Sequence, residues 1–310
     1  MSGVVVLTGG VGGAKLVLGL ADILPPGDLT AIVNTGDDFR HLCLHVSPDI
    51  DTLLYTLAGK ADEAQGWGRA LDSWAFMTAL AEVGGPDWFK LGDGDLALHV
   101  LRTYALARGD ALSQVTDHFA RRWGLATRVL PMTDDEVATE ISTAEEMLPF
   151  QRYFVERRCE PVATGIAFRG AEQAQPAPGT IEAILDPATR AVIIAPSNPY
   201  LSVDPILSVP AIRAAIMTCK APVVAVSPLI NGGAVKGPTA KLMREFGVEV
   251  SDRSIAEHYA EVIDALLVDG RAAPGRLDVA TASTDTLMQT RNDKVRVAQA
   301  ALELAERLRL

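Results

Sequence analysis

Residues 4–15 read VVVLTGGVGGAK, a short β-branched run followed by a loop that contains four glycines. Apolar residues then recur at helical spacing over residues 16–24, until the proline pair at 25–26 ends the pattern. The stretch is therefore predicted to form a strand, a glycine loop and a helix. A second apolar run at 29–33 ends in a polar loop that starts at Asn34, which predicts a second unit of the same kind.

Two such units near the N-terminus favour an α/β fold with a doubly wound, mostly parallel, Rossmann-like sheet. From residue 51 to residue 154 the apolar spacing is mostly helical, which indicates a helical insertion subdomain. We therefore expect residues 1–50 and 155–310 to form a nucleotide-binding core and residues 51–154 to form the insertion.

The C-terminal half is predicted to complete the sheet. Apolar runs at 191–195, 222–226 and 248–250 are interpreted as strands. From Asn292 onward, apolar residues and charges alternate with the period of an amphipathic helix, which is expected to pack on the body of the protein or on a second copy.

The composition limits the classes of partner. The chain has 310 residues, of which 48% are hydrophobic and 22% charged, as in a globular protein with a large core. It carries 28 basic and 39 acidic residues, a formal charge of −11, and has no long run of Lys or Arg. This balance argues against nucleic acid as a partner. A phosphate site must therefore be built locally from backbone N–H groups, a few cations or a metal.

The cysteines and the first residues bear on the compartment. Cys43, Cys159 and Cys219 are widely spaced and form no C-x-x-C pair, which favours a reducing compartment over a disulfide framework. Neither a signal-peptide pattern nor an apolar span of membrane length is found. We expect a cytoplasmic protein with no membrane partner.

The glycine loop does not match two common phosphate-binding motifs. A Walker A motif needs Gly-Lys-Ser/Thr, whereas here Lys15 follows Ala14, and a G-x-G-x-x-G motif from Gly10 needs glycine at position 15. Backbone N–H groups of a glycine loop at a helix N-terminus nevertheless approach an anion closely. The predicted phosphate contacts are Gly9, Gly10, Gly12, Gly13 and Lys15.

Four carboxylates follow within a short stretch: Asp37, Asp38, Asp49 and Asp51. Carboxylates that face a diphosphate are the oxygen ligands that Mg²⁺ prefers, so Asp37, Asp38 and Asp49 are the predicted metal ligands. For Asp49 there is an alternative explanation, because an acid in the first turn of a helix favourably meets the helix dipole without any metal.

Further candidate residues lie in polar loops. Residues 91–97 contain Asp93 and Asp95, for which an Asx-type turn that caps the next helix is the alternative explanation. In open α/β sheets, ligands bind at the carboxyl ends of the strands. The other candidates for nucleotide contacts are Asn34, Ser197, Asn198, Ser227, Gly232, Gly233 and Lys236.

Metal and hydrolase motifs receive little support. His41, Cys43 and His45 would share one face of a strand, but they lack a fourth ligand, so a zinc site is a minor alternative. Neither G-x-S-x-G nor H-E-x-x-H occurs, which leaves covalent hydrolase mechanisms without support.

Eight segments occur in an order that is informative as a set: GGVGGAK at 9–15, NTGDD at 34–38, SPDIDT at 47–52, LGDGD at 91–95, PMTDD at 131–135, PFQ at 149–151, APSNP at 195–199 and TDTLM at 284–288. In this order they resemble the CofD family, the 2-phospho-L-lactate transferases of coenzyme F420 biosynthesis. The resemblance runs from residue 4 to about residue 290, so it covers nearly the whole chain.

The resemblance implies a Mg²⁺-dependent transfer of a phosphorylated three-carbon acid from its guanosine diphosphate ester to the deazaflavin FO (7,8-didemethyl-8-hydroxy-5-deazariboflavin). The acid is 2-phospho-L-lactate, phosphoenolpyruvate or 3-phosphoglycerate, and the products are GMP and coenzyme F420-0 or a variant. The resemblance also implies that the insertion contributes to the acceptor site. A homodimer is expected.

It further implies roles for individual acids. Asp51 corresponds to an aspartate that contacts the deazaflavin, and Asp37 and Asp49 correspond to acids that lie where the metal and the diphosphate meet. We predict that Asp51 orients or deprotonates the FO hydroxyl, and that Asp51→Asn abolishes turnover with little change in melting temperature.

One position departs from the family pattern, and two alternatives to the transferase remain open. Gly94 stands where similar sequences have Arg or Lys near the deazaflavin, and Lys90 and Arg102 are candidate substitutes for that cation. The first alternative is a catalytically silent nucleotide-sugar-binding regulatory protein of the same fold, against which the segments at 49–51 and 284–288 favour the transferase. The second is a nicotinamide oxidoreductase, which would need a glycine in place of Lys15.

Overall fold

The computed structural model describes residues 3–234, 237–271 and 277–309. Its strands are, in chain order, β1 (Val4–Thr8), β2 (Leu29–Val33), β3 (Phe39–His41), β4 (Leu44–Val46), β5 (Arg128–Pro131), β6 (Ala138–Thr143), β7 (Met147–Pro149), β8 (Ala163–Arg169), β9 (Ala191–Ile194), β10 (Val223–Val226), β11 (Leu229–Ile230), β12 (Gly233–Ala234), β13 (Ala265–Asp269) and β14 (Ala280–Thr284). Its helices are α1 (Gly10–Ile23), α2 (Pro48–Leu57), α3 (Ala75–Glu82), α4 (Asp93–Ala107), α5 (Leu112–Arg122), α6 (Thr180–Leu185), α7 (Asp204–Leu207), α8 (Pro210–Thr218), α9 (Thr239–Glu245), α10 (Asp252–His258) and α11 (Arg291–Arg307). Two π-helical turns cover Arg152–Glu156 and Pro199–Val203.

The centre of the fold is a seven-stranded sheet with the order β5-β2-β1-β9-β10-β13-β14. Every neighbouring pair in it is parallel, and Val6 of β1 lies between Ala31 of β2 and Ile193 of β9. The chain runs outward from β1 in one direction and then from β9 in the other. This reversal defines a doubly wound sheet and confirms the predicted fold class.

The side chains of β1 alternate between two hydrophobic cores, as the period of a strand requires. Val4 and Val6 belong to the core that is completed by α1, α2, α4, α5 and α11, whereas Val5 and Leu7 belong to the core under α6 to α10. Because both faces are covered by helices, the carboxyl edge of the sheet is left for ligands.

Helix α1 packs closely against α11, and Gly19 makes this approach possible. A Cβ atom at position 19 would overlap the backbone carbonyl of Lys294, which begins the second turn of α11. The contact joins the N-terminal unit of the chain to its last helix.

We expect Gly19→Ala to destabilise the protein by about 2–3 kcal/mol, because the backbone of α11 must shift to admit the methyl group. Gly165→Ala is the matched control, since its Cβ would meet only ordinary contacts at 3.7 Å or more. The measurement is the free energy of unfolding in urea. Equal midpoints for the two variants would contradict the close approach.

The range predicted for the insertion, 51–154, contains parts of the core. It includes β5, which is an edge strand of the central sheet, and α2 and α5, which contribute Leu54 and Phe119 to the first core. Helix α3, in contrast, has no buried residue. The segment that projects from the core is therefore shorter than predicted and centres on residues 58–92. A small antiparallel sheet, β7-β6-β8, follows β5 in the chain.

One predicted strand is wrong. Residues 248–250 form no strand, and the backbone N–H of Val248 instead donates to the carbonyl of Met243 at the end of α9. The place beside β10 is taken by β13, whose five residues are all buried. The predicted terminal helix is present as α11.

Among the described helices, no single one is long and apolar enough to cross a membrane; the segment Pro199–Leu207 together with α8 meets the criteria of length and composition, with a bend of 87° between the two parts.

Candidate active site

Five loops that follow strands of the central sheet surround one open cleft of about 860 Å³. They follow β1, β2, β9, β10 and β14, and thus lie at the carboxyl edge where ligands bind in such sheets. The predicted site residues that line the cleft are Gly9, Gly10, Gly12, Lys15, Asp37, Asp49, Asp51, Asp95, Ser197, Asn198 and Ser227.

The glycine loop is packed tightly against the loop that follows β9. A Cβ atom on Gly12 would lie 2.8 Å from the carbonyl oxygen of Pro196, and one on Gly13 would lie 2.6 Å from Ser197 Oγ. The backbone N–H of Gly9 donates to the same Ser197 Oγ at 3.2 Å. These glycines are therefore required by the close approach of the first turn of α1 to the loop after β9, and Gly13 lies behind the cleft surface.

The first turn of α1 faces the cleft and begins at Gly10, whose φ of +64° favours glycine. Lys15, one turn further along, donates from Nζ to the carbonyl oxygen of Met288 at 2.9 Å. This bond ties α1 to the loop after β14, and both sides of it line the cleft. The N-terminus of α1 and the Lys15 ammonium thus place positive potential at one end of the cleft.

Asp49 connects the two N-terminal units. Its Oδ1 accepts from the backbone N–H of Gly10 at 2.7 Å, and its Oδ2 accepts from Asn34 Nδ2 at 2.9 Å. A Cβ atom on Gly9 would lie 2.5 Å from Oδ2, so the loop and the carboxylate fit only with glycine there. Asn34 itself does not line the cleft, and it acts by orienting Asp49.

Asp37 and Asp38 lie beside Asp49, and each has one buried carboxylate oxygen without a hydrogen-bond partner among the described residues. Asp37 is buried, lines the cleft and has no hydrogen-bond partner at Oδ1 among the described residues. Asp38 Oδ2 accepts from Ser47 Oγ at 2.6 Å and lies 3.1 Å from His45 Nε2, whereas its buried Oδ1 likewise has no described partner. Unlike Asp37, Asp38 does not line the cleft.

Burial makes ionisation of these acids unfavourable. It raises the pKa of Asp37 well above its usual range, and the negative charge of Asp49 adds to the effect. Burial also raises the pKa of Asp49 to about 6, against the opposing hydrogen bonds from Asn34 and Gly10. The pKa of Asp38 is raised for the same reason. Carboxylates that are crowded in this way become more stable when a cation binds between them.

A second group of buried polar side chains lies around Asp51. Arg102 of α4 forms a bidentate ion pair with Asp51 of α2, and Tyr55 donates to Asp95 Oδ1 at 2.6 Å. His99 lies between the two acids, 3.6 Å from Asp51 Oδ2 and 3.3 Å from Asp95 Oδ2. Asp51, Asp95, His99 and Tyr55 line the cleft, while Arg102 lies behind them.

The charges in this group balance locally. Burial disfavours the charged guanidinium of Arg102, but the Asp51 carboxylate outweighs this and raises the pKa of Arg102. Burial similarly opposes ionisation of Asp95, yet its contacts with His99 and Tyr55 leave the pKa of Asp95 below its usual value. Burial raises the pKa of Tyr55, so that Tyr55 stays a donor. Asp51 is therefore paired with a permanent cation.

Asp93 differs from the prediction. Its carboxylate accepts from Ser73 Oγ at 2.5 Å and from the backbone N–H groups of Ala75 and Phe76. It thereby caps the start of α3 from outside, and it does not line the cleft. The Ser73 bond, with help from Phe76, lowers the pKa of Asp93.

The departure at Gly94 has a local explanation. The Arg69 Nη1 atom donates to the Gly94 carbonyl at 3.3 Å. A Cβ atom at position 94 would lie 3.0 Å from the same Arg69 nitrogen. Of the two predicted substitutes, Lys90 lines the cleft and Arg102 is fully buried against Asp51. Arg69, which sequence reasoning did not consider, is the cation next to this position.

The later loops hold polar atoms in defined orientations. Asn198 Oδ1 accepts from the backbone N–H groups of Tyr200 and Leu201, which leaves its buried Nδ2 as a donor with no described partner. Ser227 Oγ donates to Asp252 at 2.6 Å. Gly232 and Gly233 lie in the β11–β12 hairpin and do not line the cleft, and Lys236 is outside the described residues.

An aromatic wall was missed by the sequence analysis. Trp67, Trp88, Phe89, Phe150 and Phe154 all line the cleft on the side of the projecting segment. Phe150 and Phe154 are stacked with ring centroids 5.2 Å apart, and Trp88 lies 5.7 Å from Phe89. No spacing rule relates residues so distant in sequence. The only available signal was the concentration of tryptophans between residues 67 and 123.

The predicted zinc alternative is not supported by the described residues. His45 contacts Asp38, Cys43 is exposed, and His41 packs edge-on against Trp88 at 5.2 Å. The one described trio whose ligand atoms all lie within 4.8 Å of one another consists of Asp51, Asp95 and His99. Arg102 already provides a cation for that trio.

Comparison with known proteins places this chain in a family. The family model for the 2-phospho-L-lactate transferase CofD matches residues 4–307. Phosphoenolpyruvate transferase of Streptomyces coelicolor is 40% identical over 317 residues, which cover 99% of both chains. The 2-phospho-L-lactate transferase of Methanopyrus kandleri is also 40% identical, over 98% of this chain and 97% of its own.

A solved structure supports the fold independently. A member of the UPF0052 family from Bacillus halodurans superposes with a TM-score of 0.66 and covers 97% of this chain and 98% of its own. Its sequence identity is 19%, so the likeness concerns the fold alone.

Proposed function

The chain belongs to the CofD family of 2-phospho-L-lactate transferases, and on this premise we propose that it moves a phosphorylated three-carbon acid from its guanosine diphosphate ester to the deazaflavin FO, with release of GMP. A transferase of coenzyme F420 biosynthesis needs a site for an anionic nucleotide donor and a site for a planar acceptor. Family membership over nearly the whole chain favours this function over a silent nucleotide-sugar-binding protein of the same fold.

The observation that carries the proposal is that one cleft contains both kinds of surface. Its donor end holds the N-terminus of α1, Lys15 and the buried acids around Asp49. We assign Asp51 and the aromatic wall, which line the same cleft, to an acceptor end. A group transfer between two bound substrates requires this adjacency.

The donor set at the acidic end fits a magnesium ion. Asp37 and Asp38 each have a buried carboxylate oxygen that lacks a described partner, and Mg²⁺ prefers such hard oxygen ligands. We propose that Asp37 and Asp49 hold the ion at the cleft, with Asp38 beside them. When bound, Mg²⁺ offsets negative charge on the diphosphate and on the departing GMP.

The protein's own groups bind and orient the donor. The first turn of α1 presents backbone N–H groups toward the cleft, and Lys15 adds a positive charge that draws phosphate oxygens to the same place. The orphan Nδ2 of Asn198 is a further donor for a phosphate oxygen. The transfer forms a bond between the acceptor hydroxyl oxygen and the phosphorus of the three-carbon acid phosphate, and it breaks the bond from that phosphorus to the bridging oxygen, which leaves with GMP.

The acceptor end orients the attacking hydroxyl. Asp51 is buried, lines the cleft and is oriented by Arg102, so one of its oxygens accepts a hydrogen bond from the FO hydroxyl and fixes the direction of that hydroxyl. The aromatic wall offers a flat apolar surface for the deazaflavin ring. Positioning combined with electrostatic stabilisation is the usual strategy of phosphoryl transfer.

The direct test is mass spectrometry of FO after incubation with the protein, Mg²⁺ and each of three guanosine diphosphate donors in parallel: phospholactyl, phosphoenolpyruvyl and phosphoglyceryl. The names of the similar relatives divide between the first two acids, so we include both. We expect a mass gain with at least one donor. Unchanged FO in all three reactions, with GDP still bound, would favour the regulatory alternative.

Trp67→Ala is expected to raise KM for FO about fivefold, because stacking of an aromatic pair contributes about 1 kcal/mol. Trp67 lines the cleft and is 46% exposed, so its removal should leave kcat and melting temperature nearly unchanged. Leu71→Ala is the control, since Leu71 lies in the same segment, is fully exposed and does not line the cleft. An unchanged KM in the Trp67 variant would remove this residue from the acceptor site.

A further inference from the structure

We propose that Arg102 is a positioning residue for the transfer, which holds the Asp51 carboxylate in the orientation that meets the acceptor hydroxyl; this inference rests on the proposed function. Arg102 has no exposed surface and lies behind Asp51, on the side away from the cleft. It therefore acts on the substrates through Asp51.

The contacts between the two side chains define one orientation of the carboxylate. Arg102 Nη2 donates to Asp51 Oδ1, and Nη1 donates to Oδ2 at 3.1 Å. Because each oxygen has its own donor in a planar fork, rotation of the carboxylate breaks one of the two bonds. A monodentate cation would not fix this angle.

The guanidinium is itself held from three sides. The helix α4 carries it, the Phe119 ring of α5 lies 5.8 Å from its central carbon, and the carbonyl oxygen of His45 lies 3.4 Å from Nη1. Two helices and the β4 strand therefore determine where Asp51 points. This arrangement is more rigid than a surface ion pair, because all of its members are buried or half-buried.

Arg102 also bears on the tautomer of His99. Its Nη1 atom lies 3.3 Å from His99 Nδ1, and since a guanidinium only donates, Nδ1 must accept. The His99 proton is then on Nε2, which faces Asp95 Oδ2 at 3.3 Å. Arg102 thus fixes which edge of the His99 ring faces it, and the opposite ring nitrogen lies toward Asp95.

The same contacts exclude a metal from this group. Asp51, Asp95 and His99 have ligand atoms close enough to hold an ion, but a divalent cation would have to lie next to the guanidinium. The positive charge that these acids need is already part of the chain. We infer that the acceptor end works with Arg102 in place of a second metal ion.

A merely structural role predicts a different result from a positioning role. If Arg102 only stabilises the fold, its replacement lowers the melting temperature and leaves kcat intact wherever the variant is folded. If it positions Asp51, its replacement lowers kcat in the folded variant, and the loss disappears once Asp51 is already changed.

The experiment is a double-mutant cycle with Arg102→Met, Asp51→Asn and the double variant, measured by FO mass gain at a temperature at which all three are folded by circular dichroism. We expect Arg102→Met to lower kcat about 100-fold with little change in KM for the donor, since a misplacement of about 1 Å at a reacting group has an effect of that size. In the Asp51→Asn background the same change should have no further effect on kcat.

Two further variants make the outcome decisive. Arg102→Lys keeps the charge but not the fork, and we expect it to recover part of the activity while staying below the wild type. Arg108→Met, at the exposed end of the same helix, should leave kcat unchanged. If Arg102→Met does not fold, Arg102→Lys replaces it in the cycle.

Three results would overturn the proposal: full kcat in a folded Arg102 variant, equal losses in both Asp51 backgrounds, or an effect on donor KM alone. Failure of the proposed function is separate and visible, because it appears as no FO mass gain in the wild type with any of the three donors.

Discussion

Asp51→Asn is expected to lower kcat about 1,000-fold, within the range found when a group that directs a proton in the transition state is lost. The amide keeps the shape of the carboxylate but presents an N–H group where the acceptor hydroxyl needs an oxygen. Its KM for the guanosine diphosphate donor should change little, because Asp51 lies at the acceptor end of the cleft. The measurement is single-turnover formation of the FO adduct.

The structure changes the expected effect of Asp51→Asn on the melting temperature. The sequence alone predicts little change in melting temperature, since the amide preserves the shape of the carboxylate. Asp51 is instead 4% exposed and forms the bidentate partner of the fully buried Arg102. Removing one member of a buried pair costs about 3–5 kcal/mol, so a lower melting temperature should accompany the loss of turnover.

The control for this variant is Asp117→Asn. Asp117 also pairs with an arginine, Arg121, but both side chains are largely exposed, and exposed pairs of this kind contribute little. We expect the control to retain both turnover and melting temperature. Normal turnover in folded Asp51→Asn would contradict the role of Asp51 at the acceptor hydroxyl.

The fold was largely predictable because its signals are local. The run at 4–8 and the helical spacing at 16–24 depend on neighbouring residues, and the structure has β1 and the body of α1 where these patterns predict them. The helix begins earlier than predicted, at Gly10, so that most of the predicted glycine loop forms its first turns. Residues 128–131 were assigned to the insertion for the opposite reason. A four-residue strand in a helical context is recognised only by its pairing with β2, which lies a hundred residues earlier.

Site residues were predictable where both the residue type and the position in the fold indicated a ligand. Asp37, Asp49 and Asp51 follow strands or begin a helix at the carboxyl edge, and all three line the cleft. Asp93 has the same residue type and loop context, yet it caps α3, because its Ser73 partner is brought to it by a segment without a sequence signature. The pairing of Arg102 with Asp51 was not predictable, because nothing in the sequence of α4 indicates that Asp51 is its partner.

Asp37→Asn is expected to abolish Mg²⁺-dependent turnover and at the same time to stabilise the metal-free protein. A metal ion contributes several kcal/mol to a charged transition state, so we expect kcat to fall about 1,000-fold. Burial and the charge of Asp49 raise the pKa of Asp37 well above its usual range, so the ionised Asp37 is unfavourable in the fold. The neutral amide removes this penalty.

The pH dependence of folding stability follows from the raised pKa values of Asp37 and Asp49. In the metal-free protein the folded-state pKa values of Asp37 and Asp49 exceed those of the unfolded chain, so stability falls as pH rises through the interval from about 4 toward the folded value, which is about 6 for Asp49. Mg²⁺ binds the ionised carboxylates and reverses this loss. The Mg²⁺-induced rise in melting temperature should therefore be larger at pH 8 than at pH 5.

Thermal melts with and without Mg²⁺ at these two pH values separate the effect of the metal from that of the carboxylates, because a ligand that binds only the folded state raises its stability by RT ln(1 + [L]/Kd). Asp37→Asn should have the higher melting temperature without Mg²⁺ at pH 8 and should lose the Mg²⁺-induced rise. Asp110→Asn, which removes an exposed carboxylate, should behave like the wild type in both respects. A wild-type Mg²⁺ response in folded Asp37→Asn would mean that the unsatisfied Asp37 oxygen is not a metal ligand, and that the cation enters through Asp38 and Asp49 alone.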